Sequence, residues 1–250
     1  MTTQLLSSAP AGQKSIALSW RNVFFFGAIH ALALLAPWYF SWSALGMTIA
    51  LIGSLALQGG PIFWVAGHRQ HHAFTEDVDK DPYSARRGFW WSHMLWIMYP
   101  RAEFFTTATY RKYAPDLARD PFYTWLDRYF LLLQLPLAIG LYALGGWSFV
   151  VWGVFVRIVL LWHTTWLINS ATHLFGDRPF DTDDGSRNLW WAALLTFGEG
   201  WHNNHHAHPN VAKAGWQWWQ VDITWWAIRA LQAIGLAKKV VMPPNPLQSR

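Results

Sequence analysis

The chain contains no cysteine, so disulfide scaffolds, thiolate nucleophiles, cysteine-ligated zinc and iron–sulfur clusters are all excluded. Any tightly held metal must rely on imidazole, carboxylate or backbone oxygen. Charge is scarce too. Asp, Glu, Lys and Arg make up 13% of the 250 residues, about half the share of an ordinary soluble protein. The first twenty residues lack a signal-peptide apolar core, which predicts a cytoplasmic N-terminus. Hydrophobic residues, in contrast, reach 53%, and there are 20 tryptophans, whose indole rings favour the membrane–water interface. Histidine occurs 11 times, and the net charge is +5. That charge fits basic loops against anionic headgroups, with nucleic acid a weak second.

Four stretches are apolar enough to span a bilayer, which takes about 20 helical residues. They are Asn22–Phe40, Ala44–Ala66, Tyr129–Leu144 and Phe149–Asn169. Short gaps after the first and third predict two helical hairpins. Gly59-Gly60-Pro61 predicts a break in the second stretch and Gly145-Gly146 a turn between the third and fourth. Arg157 in the fourth must face protein or an interface, because a lipid-exposed guanidinium at mid-bilayer costs at least about 2.5 kcal/mol. An even number of spans returns 67–128 and 170–250 to the cytoplasm. Arg86, Arg87, Arg111, Lys112, Arg119, Lys238 and Lys239 then obey the positive-inside preference. The expected fold is all-α: one multi-pass domain over 1–250, four transmembrane helices beneath a helical, histidine-rich cytoplasmic cap. Within the cap, Asn188–Phe197 and Asp222–Leu236 read as amphipathic segments lying in the interface, the latter with Asp222 as N-cap and Gly235 as stop.

The chemistry sits in a short repeat, H-x-x-H-H, seen as His68/His71/His72 and again as His202/His205/His206. Positions i, i+3 and i+4 share one helical face, so each cluster offers three imidazoles to one place. A third element, Asn169-x-x-x-His173, ends the fourth span. Seven imidazoles exceed the four ligands of one zinc. They suit two metals, and nitrogen ligation with open positions suits iron handling dioxygen. Asp77, Asp79, Asp81 and Glu199 are candidates for the carboxylates that orient such imidazoles.

At these residues the chain resembles the membrane-bound delta-9 fatty acid desaturases, particularly the cyanobacterial acyl-lipid branch and its acyl-CoA relatives. The resemblance covers nearly the whole chain and is densest at 56–96 (ALQGGPIFWVAGHRQHHAFTEDVDKDPYSARRGFWWSHMLW), 166–176 (WLINSATHLFG) and 198–209 (GEGWHNNHHAHP). It implies two non-haem irons and O2 as co-substrate. His68, His71, His72, His173, His202, His205 and His206 match the family's ligands, and Asn169 its water-mediated ligand. Gln58, Trp64 and Thr165 match positions that shape the bend of an acyl tunnel. His93 is a frequent family residue outside the ligand set; His30, His163 and His208 inherit no ligand role. The implied reaction is removal of two hydrogens from a saturated acyl chain, on a lipid or on CoA, with electrons from ferredoxin or cytochrome b5.

One departure stands out. The family carries a first box, H-x(3,4)-H, upstream of the counterpart of Ala56–Gln58, whereas this chain passes directly from SWSALGMTIA to LIGSLALQGG. A few dozen residues and two histidines are missing. This leaves three readings: a desaturase with an impaired metal site, a non-catalytic or merely metal-binding membrane remnant, and a related hydroxylase or ketolase.

Overall fold

The structure is a computed structural model that describes residues 17–44 and 56–243. The junction where the first histidine box is expected, and residues 45–55 of the second apolar stretch, lie outside these residues. Among the described residues every regular element is helical, and the only β pairing is two isolated bridges, Asp177 with Asn188 and Asn188 with Trp201.

Helix α1 (Trp20–Ala33) starts where the Ser19 side chain accepts the amide of Asn22. It ends earlier than the sequence predicts: Leu34 to Tyr39 are turns rather than helix, so the apolar run to Phe40 is not one straight span. The second stretch is broken at Gly59-Gly60-Pro61, as its sequence predicts. Leu57 and Gly59 take positive φ (52° and 97°), and helix α2 (Pro61–Phe74) begins only at the proline, whose fixed φ suits a first helical position. Helices α3 (Thr107–Tyr113) and α4 (Pro121–Tyr129) pack across α2, and Asp120 caps α4 by accepting the Phe122 amide.

From Pro121 to His173 the backbone is one helical run of 53 residues, the one stretch among the described residues that is long and apolar enough to cross a membrane. It is not straight. Helix α5 (Gln134–Val150) is interrupted where Gly145 and Gly146 leave helical geometry, Gly146 at φ +62°, a region that costs glycine little and other residues more. Beyond the break a π-helical turn (Val151–Val156) leads into α6 (Arg157–Ser170). The Arg157 guanidinium donates to the Gln134 side chain at 3.3 Å. Residues 23 apart in an unbroken helix would be separated by about 35 Å, so this contact requires the two arms to fold back on each other. Leu141 against Gly153 makes the same contact further along. Arg157 itself is 0% exposed and also donates to the Gly153 carbonyl at 2.7 Å, so it faces protein, as its position in an apolar run demands.

The main core lies between α1 and this hairpin, where Phe26, Leu141, Val154, Ile158, Trp162 and Trp166 are buried together. Phe26 and Trp162 meet at 4.5 Å between ring centroids. The opposite face of the hairpin leaves Leu135, Ile139 and Leu144 exposed by more than half. Helices α7 (Trp190–Leu195), α8 (His202–Ala207) and α9 (Ile223–Ala233) complete the cap. Asp222 caps α9 by accepting the Trp225 amide at 2.8 Å, and Gly235 ends the segment at φ +75°.

Candidate metal centre

Helix α2 presents His68, His71 and His72 along one face, and α8 presents His202, His205 and His206 along one of its own. The asparagines between the α8 histidines anchor that short helix from behind. Asn203 accepts from the Phe180 amide (2.8 Å) and donates to the Phe180 carbonyl (3.2 Å). Asn204 donates to the Ala214 carbonyl (2.8 Å) and accepts from the Asn188 side chain (2.7 Å). Both are fully buried or nearly so. This explains why the spacer in the second cluster is Asn-Asn: the polar face is locked into loops while the imidazoles point forward. His173 enters from the short turn that follows α6.

All seven histidines converge, in two groups. His71, His173, His202 and His206 place one donor atom each within 4.8 Å of one another, and His68, His72 and His205 do the same. Nε2 faces Nε2 between His173 and His202 (3.1 Å), His72 and His68 (3.2 Å), and His72 and His205 (3.0 Å). The groups adjoin, with His72 and His206 ring centroids 4.4 Å apart.

Carboxylates stand behind the first group. His71 Nδ1 bonds Asp81 at 2.9 Å, His173 Nδ1 bonds Glu76 at 3.3 Å, and His206 Nδ1 bonds Asp184 at 2.6 Å. An Nδ1–H donated to a carboxylate leaves the Nε2 lone pair free and aimed, which is how metal-binding imidazoles are oriented. The Nε2 atoms of His71 and His206 are buried and have no protein partner. Unpaired polar atoms in such a place call for a ligand. An all-imidazole donor set with outer carboxylates therefore fits a divalent transition metal such as iron.

Only Asp81 among the four carboxylates singled out by sequence orients a histidine. Asp77 and Asp79 lie in an exposed loop, where Asp77 pairs with Lys80 at 3.2 Å and Asp79 lies 3.9 Å from Arg87. Glu199 is buried, bonds Thr224 and lines the cavity beside His202, with no bond to an imidazole. Glu76 and Asp184 were missed, since both sit in acidic loop runs and reach their histidines only through the tertiary fold. Glu76 is held at φ +65° and also accepts the Gly185 amide at 2.7 Å.

His30, His163 and His93 form a separate chain. His163 offers Nε2 to His30 (3.2 Å) and Nδ1 to His93 (3.0 Å). Because it uses opposite ring nitrogens, the three cannot converge on one metal. His208 packs on Trp216 at 4.7 Å.

Burial and the neighbouring imidazoles push His68 and His205 down to about 3 and hold His71, His72, His202 and His206 below the usual histidine range. For Asp184, burial opposes ionisation, but the His206 ring and the Ser186 amide still hold the carboxyl below its ordinary range. Burial pushes Asp81 up to about 7. Imidazoles that are harder to protonate when folded favour the folded state above their ordinary value of 6.5. That contribution is lost as pH falls from 6.5 towards 3, because the unfolded chain takes up more protons. Asp81 works in the opposite direction but is one group against six. The metal-free protein is therefore expected to lose thermal stability steeply between pH 6.5 and 4, measured as Tm in detergent; a flat profile there would contradict the packed neutral cluster.

Two cavities meet at the clusters. One, about 600 Å3, is lined by Gln58, Trp64, Thr165, Asn169, His68 and His202 among others. The other, about 830 Å3, shares Gln58, Trp64, Thr165 and Asn169 with it and is lined further by Phe26 and Trp162. At their junction the Gln58 amide donates to Thr165 Oγ1 (2.7 Å), and Trp64 Nε1 donates to Gln58 Oε1 (3.2 Å). The three residues thus form one hydrogen-bonded chain that lines both cavities.

The helical frame brings two imidazole groups that could hold metal beside a largely apolar cavity. Comparison with known proteins names its class: the fatty acid desaturase family model matches residues 27–238. The chain is 60% identical to the sn-2 palmitoyl-lipid 9-desaturase of Nostoc sp. (strain 36), over 98% of each chain. It is 44% identical to the sn-1 stearoyl-lipid 9-desaturase of Synechocystis sp., covering 91% of this chain and 81% of that one. It is 43% identical to the chloroplastic palmitoyl-monogalactosyldiacylglycerol delta-7 desaturase of Arabidopsis thaliana, covering 89% of this chain and 69% of that one. The protein belongs to the fatty acid desaturase family, within its cyanobacterial delta-9 branch, and is an oxidoreductase.

The Nostoc alignment runs over 278 positions. Since 98% of 250 residues is about 245, roughly 33 aligned positions have no counterpart in this chain.

Proposed function

We propose that this protein is an O2-dependent desaturase of long saturated acyl chains, built around two non-haem irons and impaired by the loss of the first histidine box. The observation that carries the reading is the convergence of two imidazole groups, three of their rings backed by carboxylates, on the end of a bent apolar cavity. His71, His173, His202 and His206 would hold one iron, and His68, His72 and His205 the other, with Asn169 acting through water. Bound iron would supply the O2 chemistry that removes hydrogen from unactivated methylenes. The chain's own residues position and protect. Gln58, Trp64 and Thr165 set the bend, and Leu133, Leu161 and Ile168 keep the acyl chain in an apolar wall from which water is excluded.

The name of the Nostoc relative favours a palmitoyl group on a glycerolipid and position 9, with acyl-CoA as the rival substrate. Two electrons come from outside, from ferredoxin or cytochrome b5. We place four spans in the membrane with the cap on the cytoplasmic side, which keeps the metal centre within reach of such a carrier. The exposed apolar face of the hairpin and the buried Arg157 support that placement. The missing positions favour a second reading, a metal-binding but non-catalytic family member; a hydroxylase or ketolase would give oxygenated rather than unsaturated products.

The test is expression with an electron donor in a host without its own 9-desaturase, followed by lipid analysis. Unsaturated product at low yield supports the proposal, a high yield overturns the impairment, and hydroxylated product overturns the desaturase reading. In an active form carrying the restored box, Thr165→Leu removes the bond to Gln58 and adds bulk to the cavity lining. It is expected to move the double bond along the chain or cut product about tenfold or more, since small misplacement near the reacting atoms is costly. Mass spectrometry of derivatised double bonds reads the position, and an unchanged position and yield would remove Thr165 from the tunnel.

A further inference from the structure

Helix α2 bears three of the seven histidines, together with Trp64, but its own N-terminus has nothing to cap it. The N-cap is Gly60, which has no side chain, and the first amides of a helix need acceptors. Asp127, 65 positions away in the last turn of α4, supplies one. Its Oδ1 accepts the amides of Ile62 at 3.0 Å and Phe63 at 3.1 Å. The fit is close: a Cβ on Gly60 would lie 2.2 Å from Asp127 Oδ1 and 2.5 Å from its Cα. Gly59 beside it takes φ +97°, so the chain reaches this latch through a turn that suits glycine. A carboxylate at this end of a helix is also favoured by the helix dipole.

The consequence lies along the helix. His68 is six residues beyond Ile62, about 9 Å of rise, and its ring stacks on Trp64 at 5.1 Å. Trp64 in turn belongs to the hydrogen-bonded chain of Gln58 and Thr165. Whatever fixes the start of α2 therefore fixes how far the first histidine cluster projects towards α8 and how far it stands from the bend. We propose that Asp127 is a positioning residue: it sets the axial register of α2, and with it the meeting of His68, His71 and His72 with His173 and the histidines of α8. The inference rests on the metal-centre reading and adds to it a residue that belongs to neither imidazole group.

The test uses the full purified chain, freed of metal, with Co2+ as probe. Asp127→Ala is expected to weaken Co2+ binding about tenfold or more and to alter the visible spectrum, by the logic that outer-shell orientation carries 10- to 100-fold in metal affinity. Asp127→Asn keeps the acceptor oxygen and is expected to stay within about threefold of wild type. Gly60→Ala, which pushes the latch apart without altering Asp127, is expected to behave like Asp127→Ala. Asp120→Ala removes a comparable cap from α4 itself and serves as the control for plain destabilisation. If Asp127→Ala and Asp120→Ala lower Tm alike and neither changes Co2+ affinity or spectrum, the positioning role is overturned. If Asp127→Ala does not fold, Asp127→Asn and Gly60→Ala decide the matter by the same two readouts. Wild type that takes up no Co2+ overturns the metal centre and this inference together, whereas wild-type binding with unchanged variants overturns this inference alone.

Discussion

Inserting the segment of roughly thirty residues that the Nostoc relative carries and this chain lacks should raise formation of unsaturated lipid by about 100-fold or more. Loss of an outer partner of a metal ligand alone costs 10- to 100-fold; loss of two imidazoles from a two-metal site costs at least as much, because residues that act as a unit fail together. Three of the four other histidines are engaged elsewhere. His30 is the only one upstream of His68, and its ring is bonded to His163 and to the Phe26 carbonyl, away from both imidazole groups. His163 and His93 are engaged in the same chain, which ends on Ser170 at 3.1 Å. The measurement is fatty acid analysis of a desaturase-deficient host expressing either form at matched levels. Equal product from the two would mean that the seven remaining histidines suffice, and the proposed impairment would be wrong.

The parts of this protein legible from sequence are those written in local pattern. The twin H-x-x-H-H reads directly as two helical faces, because i, i+3 and i+4 place side chains together wherever the helix is. Gly145-Gly146 and Gly59-Gly60-Pro61 read as breaks, and Asp222 with Gly235 reads as a start and a stop, for equally local reasons. The misread parts depend on distant partners. Nothing in the run Glu76–Asp81 says that its first and last carboxylates turn inward while Asp77 and Asp79 stay in water; that is decided by where His173 and His71 arrive. Asp184 is the last acid in a polar loop and becomes significant only because α8 docks beside it. Asp127 has no local signature at all, since the helix it caps lies on another segment. Apolar composition continues to Phe40 past the end of helix α1, and hydropathy does not register that the backbone turns after Ala33.

Metal loading should be uneven. The group formed by His71, His173, His202 and His206 has four imidazoles, three of them fixed by carboxylates at 2.6 to 3.3 Å. The group formed by His68, His72 and His205 has three, and among the described residues none of these rings is bonded to a carboxylate. Four donors complete a tetrahedral site while three leave it open, and each oriented ring adds to affinity. Titrating metal-free protein with Zn2+ or Co2+ in a calorimeter is therefore expected to resolve a first equivalent at least about 100-fold tighter than the second. His206→Ala should abolish the tight class, and His205→Ala only the weak one. Asp184→Asn keeps every ligand but weakens the hydrogen bond that aims His206, and should cost the tight class about tenfold while leaving the weak class unchanged. Two equivalents of equal affinity, or a tight class that survives His206→Ala, would show that the carboxylate-backed group is not the stronger site.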